Sequence, residues 1–241
     1  MLYGEKEVRD NIRNRDGRRV FFLGKGDTLT PGARDWLSRE RIEIRSAQEA
    51  KIETYRLTNG AFMREKPEHM THLHGDVLVE KTHPRIAFRG AVDALEAELL
   101  LCQLDAEPVR KELGEILDLT RLLIRCEVMD EPVPQKELCG MTQEQIRHRS
   151  HFPQDYYAVA HFMPEYTDGR LILQLNRCRS TARAAELAAV RAFAREGEAP
   201  QREDILKAMN RISSMLYILM LQQKAGKAGG CHGKTGYGGT D

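Results

Sequence analysis

The stretch PRIAFRGAVDALEAELLLC, residues 84–102, decides the fold. Phe88, Val92, Leu95, Leu99 and Cys102 recur at intervals of four and three, which lines them along one face of an α-helix packed in a bundle. Pro84 suits the first helical turn, where its missing N–H would lack a partner anyway. The same rhythm returns after Pro108 in Val109, Leu113, Ile116, Thr120 and Leu123. It returns after the Asp168-Gly169 turn in Leu171, Leu175, Cys178, Ala182, Ala185 and Ala189, a stripe of mostly small residues that allows close helix contact. A last stripe runs Ile205, Met209, Ile212, Leu216 and Leu219. Thr142 with Gln145 three residues on is the capping-box pattern for a shorter helix over 141–149. Four long amphipathic helices and a short one predict a mainly α protein, an antiparallel bundle of about five helices.

Ahead of the bundle the pattern changes. Arg19-Val20-Phe21-Phe22-Leu23 predicts a strand and Gly24-Lys25-Gly26-Asp27 a turn. Thr30 as N-cap and Pro31 at the first position open a helix to about Glu40, and Ile42-Glu43-Ile44 alternates like a second strand. The glycines fit neither a Walker A loop nor a dinucleotide fingerprint, so they read as a turn. Residues 46–80 are mixed and polar and are expected mostly as loop. The expected organisation is a small α/β appendage over 1–60, the bundle over 61–225, and a disordered glycine-rich tail over 226–241. Cys231-His232 in that tail is too isolated a pair to predict a metal site.

Bulk properties exclude several classes. The 37 basic side chains nearly cancel the 36 acidic ones, which argues against a protein that wraps nucleic acid. Residues 1–10 are charged and lack the apolar core of a secretory signal. The most apolar run, 212–221, is about half the length that crosses a bilayer. The five cysteines are odd in number and dispersed, unlike a disulfide framework or a zinc site. A reduced cytoplasmic protein is expected, with no membrane partner.

Three stretches could carry chemistry. Arg179, Arg183 and Glu186, at i, i+4 and i+7, share one helix stripe beside the small-residue face. They read either as an exposed salt-bridge ladder or as a phosphate grip, the second favoured by the adjoining alanine face and by the forked guanidinium. Lys81 precedes a helix N-terminus, where an anion is favoured, and Asp93 follows Arg89 by one turn, so that an intrahelical pair is its plain alternative. Asn210 stands mid-helix, where a functional contact and an interhelical hydrogen bond explain it equally well. His69, His72, His74 and His83 match no standard metal spacing and are expected as loop residues.

Taken together these stretches resemble the PduO-like corrinoid adenosyltransferases. Lys81-Thr82-His83-Pro84-Arg85-Ile86 through Gly90-Ala91-Val92-Asp93 resembles their K-x-H-P-R-I…G-x-x-D segment. Arg179, Arg183 and Glu186 resemble their R-x-x-x-R-x-x-E helix, and Asn210-Arg211-Ile212-Ser213 their N-R-L-S motif. The segments 66–73, 130–132, 175–179 and 202–206, with Leu29-Thr30-Pro31-Gly32-Ala33-Arg34, narrow the match to the ethanolamine-utilization branch.

The resemblance implies transfer of the 5′-deoxyadenosyl group of ATP to the cobalt of reduced cobalamin, with Mg²⁺ and release of inorganic polyphosphate. It implies that Lys66, Thr71, Lys81, Arg183 and Asn210 contact ATP within a catalytic set of Lys81, Arg183 and Glu186, and that residues 66–75 form an ATP-binding loop. Asp93 and Arg179 would pair across a subunit interface beside the corrinoid, in a homo-oligomer with a trimer favoured. The family removes the lower cobalt ligand with an apolar wall that excludes water; Phe152, Tyr156, Phe162 and Met163 are candidates for it, with core packing an equal alternative for all four. Ethanolamine ammonia-lyase and a cobalamin reductase are candidate partners, and association with a bacterial microcompartment stays open. Two departures stand out. The histidine–cysteine metal motif that some ethanolamine-type enzymes carry before the K-P-x-x-x-T-H-L segment is missing, so no structural metal is expected, and Ala184 replaces an arginine common in PduO enzymes. A non-catalytic chaperone that delivers ATP or corrinoid is the alternative.

Overall fold

The computed structural model describes residues 1–15, 17–47, 54–195 and 197–230. Two compact units divide the chain: Met1–Ile86 with Val128–Asp130, and Ala87–Glu127 with the chain from Glu131 onward.

In the first unit β1 (Leu2–Tyr3) and α1 (Glu5–Asp10) lead into β2 (Arg13–Arg15), β3 (Arg18–Leu23), β4 (Thr28–Leu29), α2 (Pro31–Arg39) and β5 (Glu43–Ser46). β3 pairs antiparallel with β2 and parallel with β5, Val20 facing Glu43 and Leu23 facing Ser46, so α2 is the crossover of a small βαβ unit. Thr30 caps α2 as expected, its hydroxyl accepting from the Ala33 N–H at 3.3 Å, with Pro31 at the first helical position. Val8, Phe21, Leu29, Ala33, Trp36, Leu37 and Ile42 form the core of this part.

The loop expected over 46–80 is corrected. β6 (Tyr55–Leu57), β7 (Phe62–Met63), β8 (Met70–His74) and β9 (Val77–Glu80) form a four-stranded sheet in the order β7-β6-β9-β8. Strands of two to five residues are too short for alternation to announce them. His72 and His74 accordingly lie on a strand, not in a loop. The first unit therefore runs to Ile86, beyond the edge that composition suggested near residue 60.

The second unit is built from α3 (Pro84–Asp105, its first turn in the first unit), α4 (Arg110–Met129), α5 (Gln143–His151), α6 (Pro153–Tyr157), α7 (Arg170–Phe193) and α8 (Glu203–Gly230). Cross-helix bonds give the directions. Glu96 meets Arg121 while Gln103 meets Arg110, so α3 and α4 are antiparallel. Glu98 meets Arg177 while Asp105 meets Gln174, so α7 also runs against α3. All four sequence stripes turn inward: every member named above is buried except Leu171, which is half-buried against the core. Thr142 and Gln145 cap α5 reciprocally.

Arg202 ties the bundle together at the α4–α8 end. Its guanidinium donates to the Cys126 and Glu131 carbonyls at 3.2 and 2.7 Å and to Asp204, whose carboxylate also accepts from the Val133 N–H at 2.9 Å. The tail expected from residue 226 is corrected in part, because α8 continues to Gly230. Near that end the Lys224 ammonium binds the buried Asp168 carboxylate and sits over the Phe162 ring. Cys231-His232 lies outside the described residues. Among the described residues no helix is long and apolar enough to cross a membrane.

Candidate functional site

Two polar helix stripes build the site. On α7 Asn176, Arg179, Ser180 and Arg183 stand at i, i+3, i+4 and i+7, with Glu186 three residues further. On α8 Asn210, Ser213, Ser214 and Tyr217 repeat the same spacing. Glu186 meets Asn210 and Arg179 meets Tyr217, seven residues apart in opposite directions, so the helices are antiparallel and the stripes lie side by side. The adjoining Cys178, Ala182, Ala185 and Ala189 are fully buried, which lets α7 sink into the bundle and bring its polar stripe to the edge of the core. A cavity of 680 Å³ opens there, bordered by residues 161–164 and by Ser150 and His151.

Its electrostatics are one-sided. The Asn210 amide donates to Glu186 Oε1 at 2.8 Å. The Arg179 guanidinium lies 5.2 Å over the Tyr217 ring, whose hydroxyl is 3.0 Å from His161 Nδ1, and the His161 and Tyr217 rings stack at 6°. Burial lowers the pKa of Arg179, the charge of Arg183 one turn on pushes the same way, and Tyr217 opposes both. Burial raises the Tyr217 phenol. Arg183 is exposed, and no carboxylate among the described residues pairs with it or with Arg179. Glu186 is the acidic side chain of the lining, and Asn210 holds one of its oxygens. Two guanidinium groups without a carboxylate partner, flanked by serine hydroxyls, form a receptor for a polyanion. A single carboxylate with one oxygen open also fits Mg²⁺, which prefers a carboxylate together with phosphate oxygens and water.

Arg179, Arg183, Glu186 and Asn210 are thus brought together. Lys66, Thr71 and Lys81 belong to the first unit. Lys81 follows β9 and its ammonium contacts Glu68 Oε1 at 3.1 Å, both groups exposed. That hydrogen bond, then the charges of Lys81 and Lys66, hold the Glu68 carboxyl below its ordinary range. Lys66 is exposed and Thr71 lies on β8 opposite Val79, so half of the segment expected as an ATP-binding loop is a strand, residues 70–74 of 66–75. Asp93 is exposed on α3, and Arg89 turns to Glu127 instead, at 2.7 Å from a fully buried carboxylate. Of the four wall candidates Phe162 and Met163 line the cavity. Phe152 and Tyr156 do not, and pack on His148 with ring centroids at 4.8 and 5.7 Å. Among the described residues no group of three histidine, cysteine or acidic side chains gathers as a metal site.

Ser213 of the Asn210-Arg211-Ile212-Ser213 motif borders the cavity, as do Tyr217 and His161, which belong to none of the sequence motifs. The i+7 spacing from Asn210 would have found Tyr217. Nothing comparable points to His161, which arrives on an irregular segment between α6 and α7.

A sequence profile for cobalamin adenosyltransferases matches residues 61–223. Corrinoid adenosyltransferase EutT of Salmonella typhimurium is 34% identical over 157 residues, 65% of this chain and 59% of that protein. The protein of the same name from Escherichia coli K12 is 32% identical over an equal length. The chain therefore spans about 59% of the length of these relatives. Two solved variants of a PduO-type ATP:corrinoid adenosyltransferase from Lactobacillus reuteri, complexed with cobalamin and ATP, share the fold. Each has a TM-score of 0.50 over 66% of this chain, at 19% and 20% identity, covering 91% and 89% of those chains.

Proposed function

Because the chain belongs to the cobalamin adenosyltransferase family, we propose that it transfers the 5′-deoxyadenosyl group of ATP to the cobalt of a reduced corrinoid. The observation that carries this reading is the pair Arg179 and Arg183 on the wall of a 680 Å³ cavity, with no carboxylate partner among the described residues. Adenosyl transfer forms a Co–C5′ bond and breaks the C5′–O bond, so inorganic polyphosphate departs with its full charge. Cobalt is the nucleophile, and a protein base or nucleophile is unnecessary. The work left to the protein is to orient ATP and stabilise the leaving polyphosphate. Arg183 grips the polyphosphate, Asn210 donates to the nucleotide, and Glu186 holds Asn210. Mg²⁺, when bound, would neutralise phosphate charge beside the free Glu186 oxygen.

Lys66, Thr71 and Lys81 of the first unit are assigned to ATP by the family resemblance, with Lys81 leaving Glu68 for phosphate. Phe162 and Met163 are the residues assigned to the corrinoid wall, since they line the same cavity as the arginines. A homo-oligomer, with a trimer favoured by the family resemblance alone, is in keeping with the uncovered apolar side chains on α3 (Leu100, Leu101, Leu104) and α7 (Leu187, Val190). Asp93 on the exposed side of α3 is assigned to Arg179 of a neighbouring copy. Cobalamin is the proposed corrinoid, ethanolamine ammonia-lyase the consumer of the product, and a cobalamin reductase the source of electrons, in the cytoplasm or at a microcompartment.

An anaerobic assay with MgATP, cobalamin and a reductant tests the reading. A light-sensitive adenosyl–cobalt spectrum is the expected outcome. A spectral change on binding without product would replace the enzyme by a delivery chaperone, and no response to either ligand would leave the family fold alone.

A further inference from the structure

The amide of Asn210 is held at both ends. Its Nδ2 donates to Glu186 Oε1 at 2.8 Å, and its Oδ1 accepts from Arg211 Nη2 at 2.5 Å. Arg211 does not line the cavity that holds Arg179 and Arg183. Its side chain lines a separate 250 Å³ cavity with Leu119, Leu122 and Ile146, where Nη1 also donates to the Gln143 carbonyl at 3.4 Å.

We propose that Arg211 is a positioning residue that locks Asn210 as a hydrogen-bond donor toward the nucleotide without touching it. An asparagine amide has one oxygen, with two lone pairs, and two N–H donors. The guanidinium fixes the oxygen on its own side and Glu186 takes one donor, which leaves an N–H for the cavity that Asn210 lines. Rotating the amide by half a turn would set its oxygen against the Glu186 carboxylate and its NH₂ against the guanidinium, both unfavourable. The remaining N–H selects an acceptor: a phosphate or ribose oxygen, or a ring nitrogen of the base.

The setting of Arg211 fits this role better than that of a surface ion pair. Burial first, and the like charge of Arg147 second, work against its charge, while Glu186 and Glu144 favour it. Its hydrogen bonds nonetheless go to two uncharged oxygens, one of them Asn210 Oδ1. The chain carries five asparagines, Asn11, Asn14, Asn59, Asn176 and Asn210, so the side-chain amide of Asn210 can be followed alone.

The proposal rests on the adenosyltransferase reading, and its test separates the two. The full chain, labelled with ¹⁵N-asparagine, is compared as wild type, Arg211→Met and Arg211→Lys, first without ligand. Asn210 should show two well-separated amide protons that exchange slowly. Arg211→Met should speed that exchange by about tenfold, the effect of one lost hydrogen bond, with the other four amides unmoved, and Arg211→Lys should restore part of it. In the assay Arg211→Met should raise KM for ATP by about tenfold while KM for the corrinoid and the melting temperature hold. An unchanged Asn210 amide in Arg211→Met, or equal shifts in all five amides and both KM values, would overturn the proposal. A locked Asn210 amide in a protein that makes no adenosylcorrinoid would remove the functional reading and leave the positioning of Asn210 by Arg211 standing.

Discussion

The two units of this chain use their residues in opposite ways. The first distributes its described residues over nine strands, none longer than six residues, with helices of six and nine. The second places its core in four helices of 20 to 28 residues. A long helix states its buried face many times over within one continuous segment, and each polar stripe beside that face is displayed in the same way. A short strand depends on a partner remote in sequence, as Val20 depends on Glu43 and Arg56 on Val77. Arg179, Arg183 and Glu186 accordingly share a face by helical spacing, with Asn210 joining them where α8 packs on α7, whereas Lys66, Thr71 and Lys81 lie on or beside short strands.

Substitutions can break this contrast. The largest stability effect should come from Arg89→Met in the helical unit, which takes the Arg89 guanidinium away from the fully buried Glu127 carboxylate. A loss of about 3–5 kcal/mol in denaturant unfolding is expected, and a loss below 1 kcal/mol would show that Glu127 is held by its other neighbours. Arg183→Ala should lower kcat/KM by about 10²-fold with the melting temperature unchanged, as expected for removing one preorganised charge from a leaving polyanion. Wild-type kinetics would detach Arg183 from the polyphosphate. Thr30→Ala in the first unit removes the N-cap bond to Ala33, and hydrogen exchange across residues 31–39 should report a loss of about 1 kcal/mol with α7 and α8 unaffected. The same loss spread over both units would join what the contrast separates.

The smallest effect concerns acid. Burial alone would raise the Asp204 carboxyl, but the Arg202 hydrogen bond and the Val133 N–H outweigh it, and the net direction is down. A carboxyl lowered on folding stabilises the native state above its unfolded pKa, near 4, and that contribution disappears as pH falls through the folded value. Melting followed from pH 5 to pH 2 should therefore fall less steeply in Asp204→Asn than in the wild type. Parallel curves would assign the acid sensitivity to other carboxylates.

How much was legible depends on where each signal resides. The four long helices could be read because Phe88 to Cys102, and their counterparts, repeat a spacing that only one face of a helix satisfies. The capped starts at Thr30 and Thr142 were legible because capping is a local exchange between neighbours. The sheet over residues 55–80 was not, since Met70–His74 and Val77–Glu80 carry too few residues to establish a period. The fate of Arg89 was also hidden: Asp93 is one turn away, yet Glu127, 38 positions on, takes the guanidinium. His161 reached the cavity on an irregular segment with no period to read.

The helical class, the buried faces, the helix caps and the order of motifs that marks the family were all present in the sequence, because these follow from spacing along one chain. Helix packing set the rest: Glu186 answers Asn210 and not the arginines, Tyr217 lies beneath Arg179, and Arg211 turns to Asn210 Oδ1. Those outcomes depend on which helices pack and in which direction. A guanidinium takes whichever oxygen or ring that packing brings within reach, and proximity in space is information that no periodicity contains.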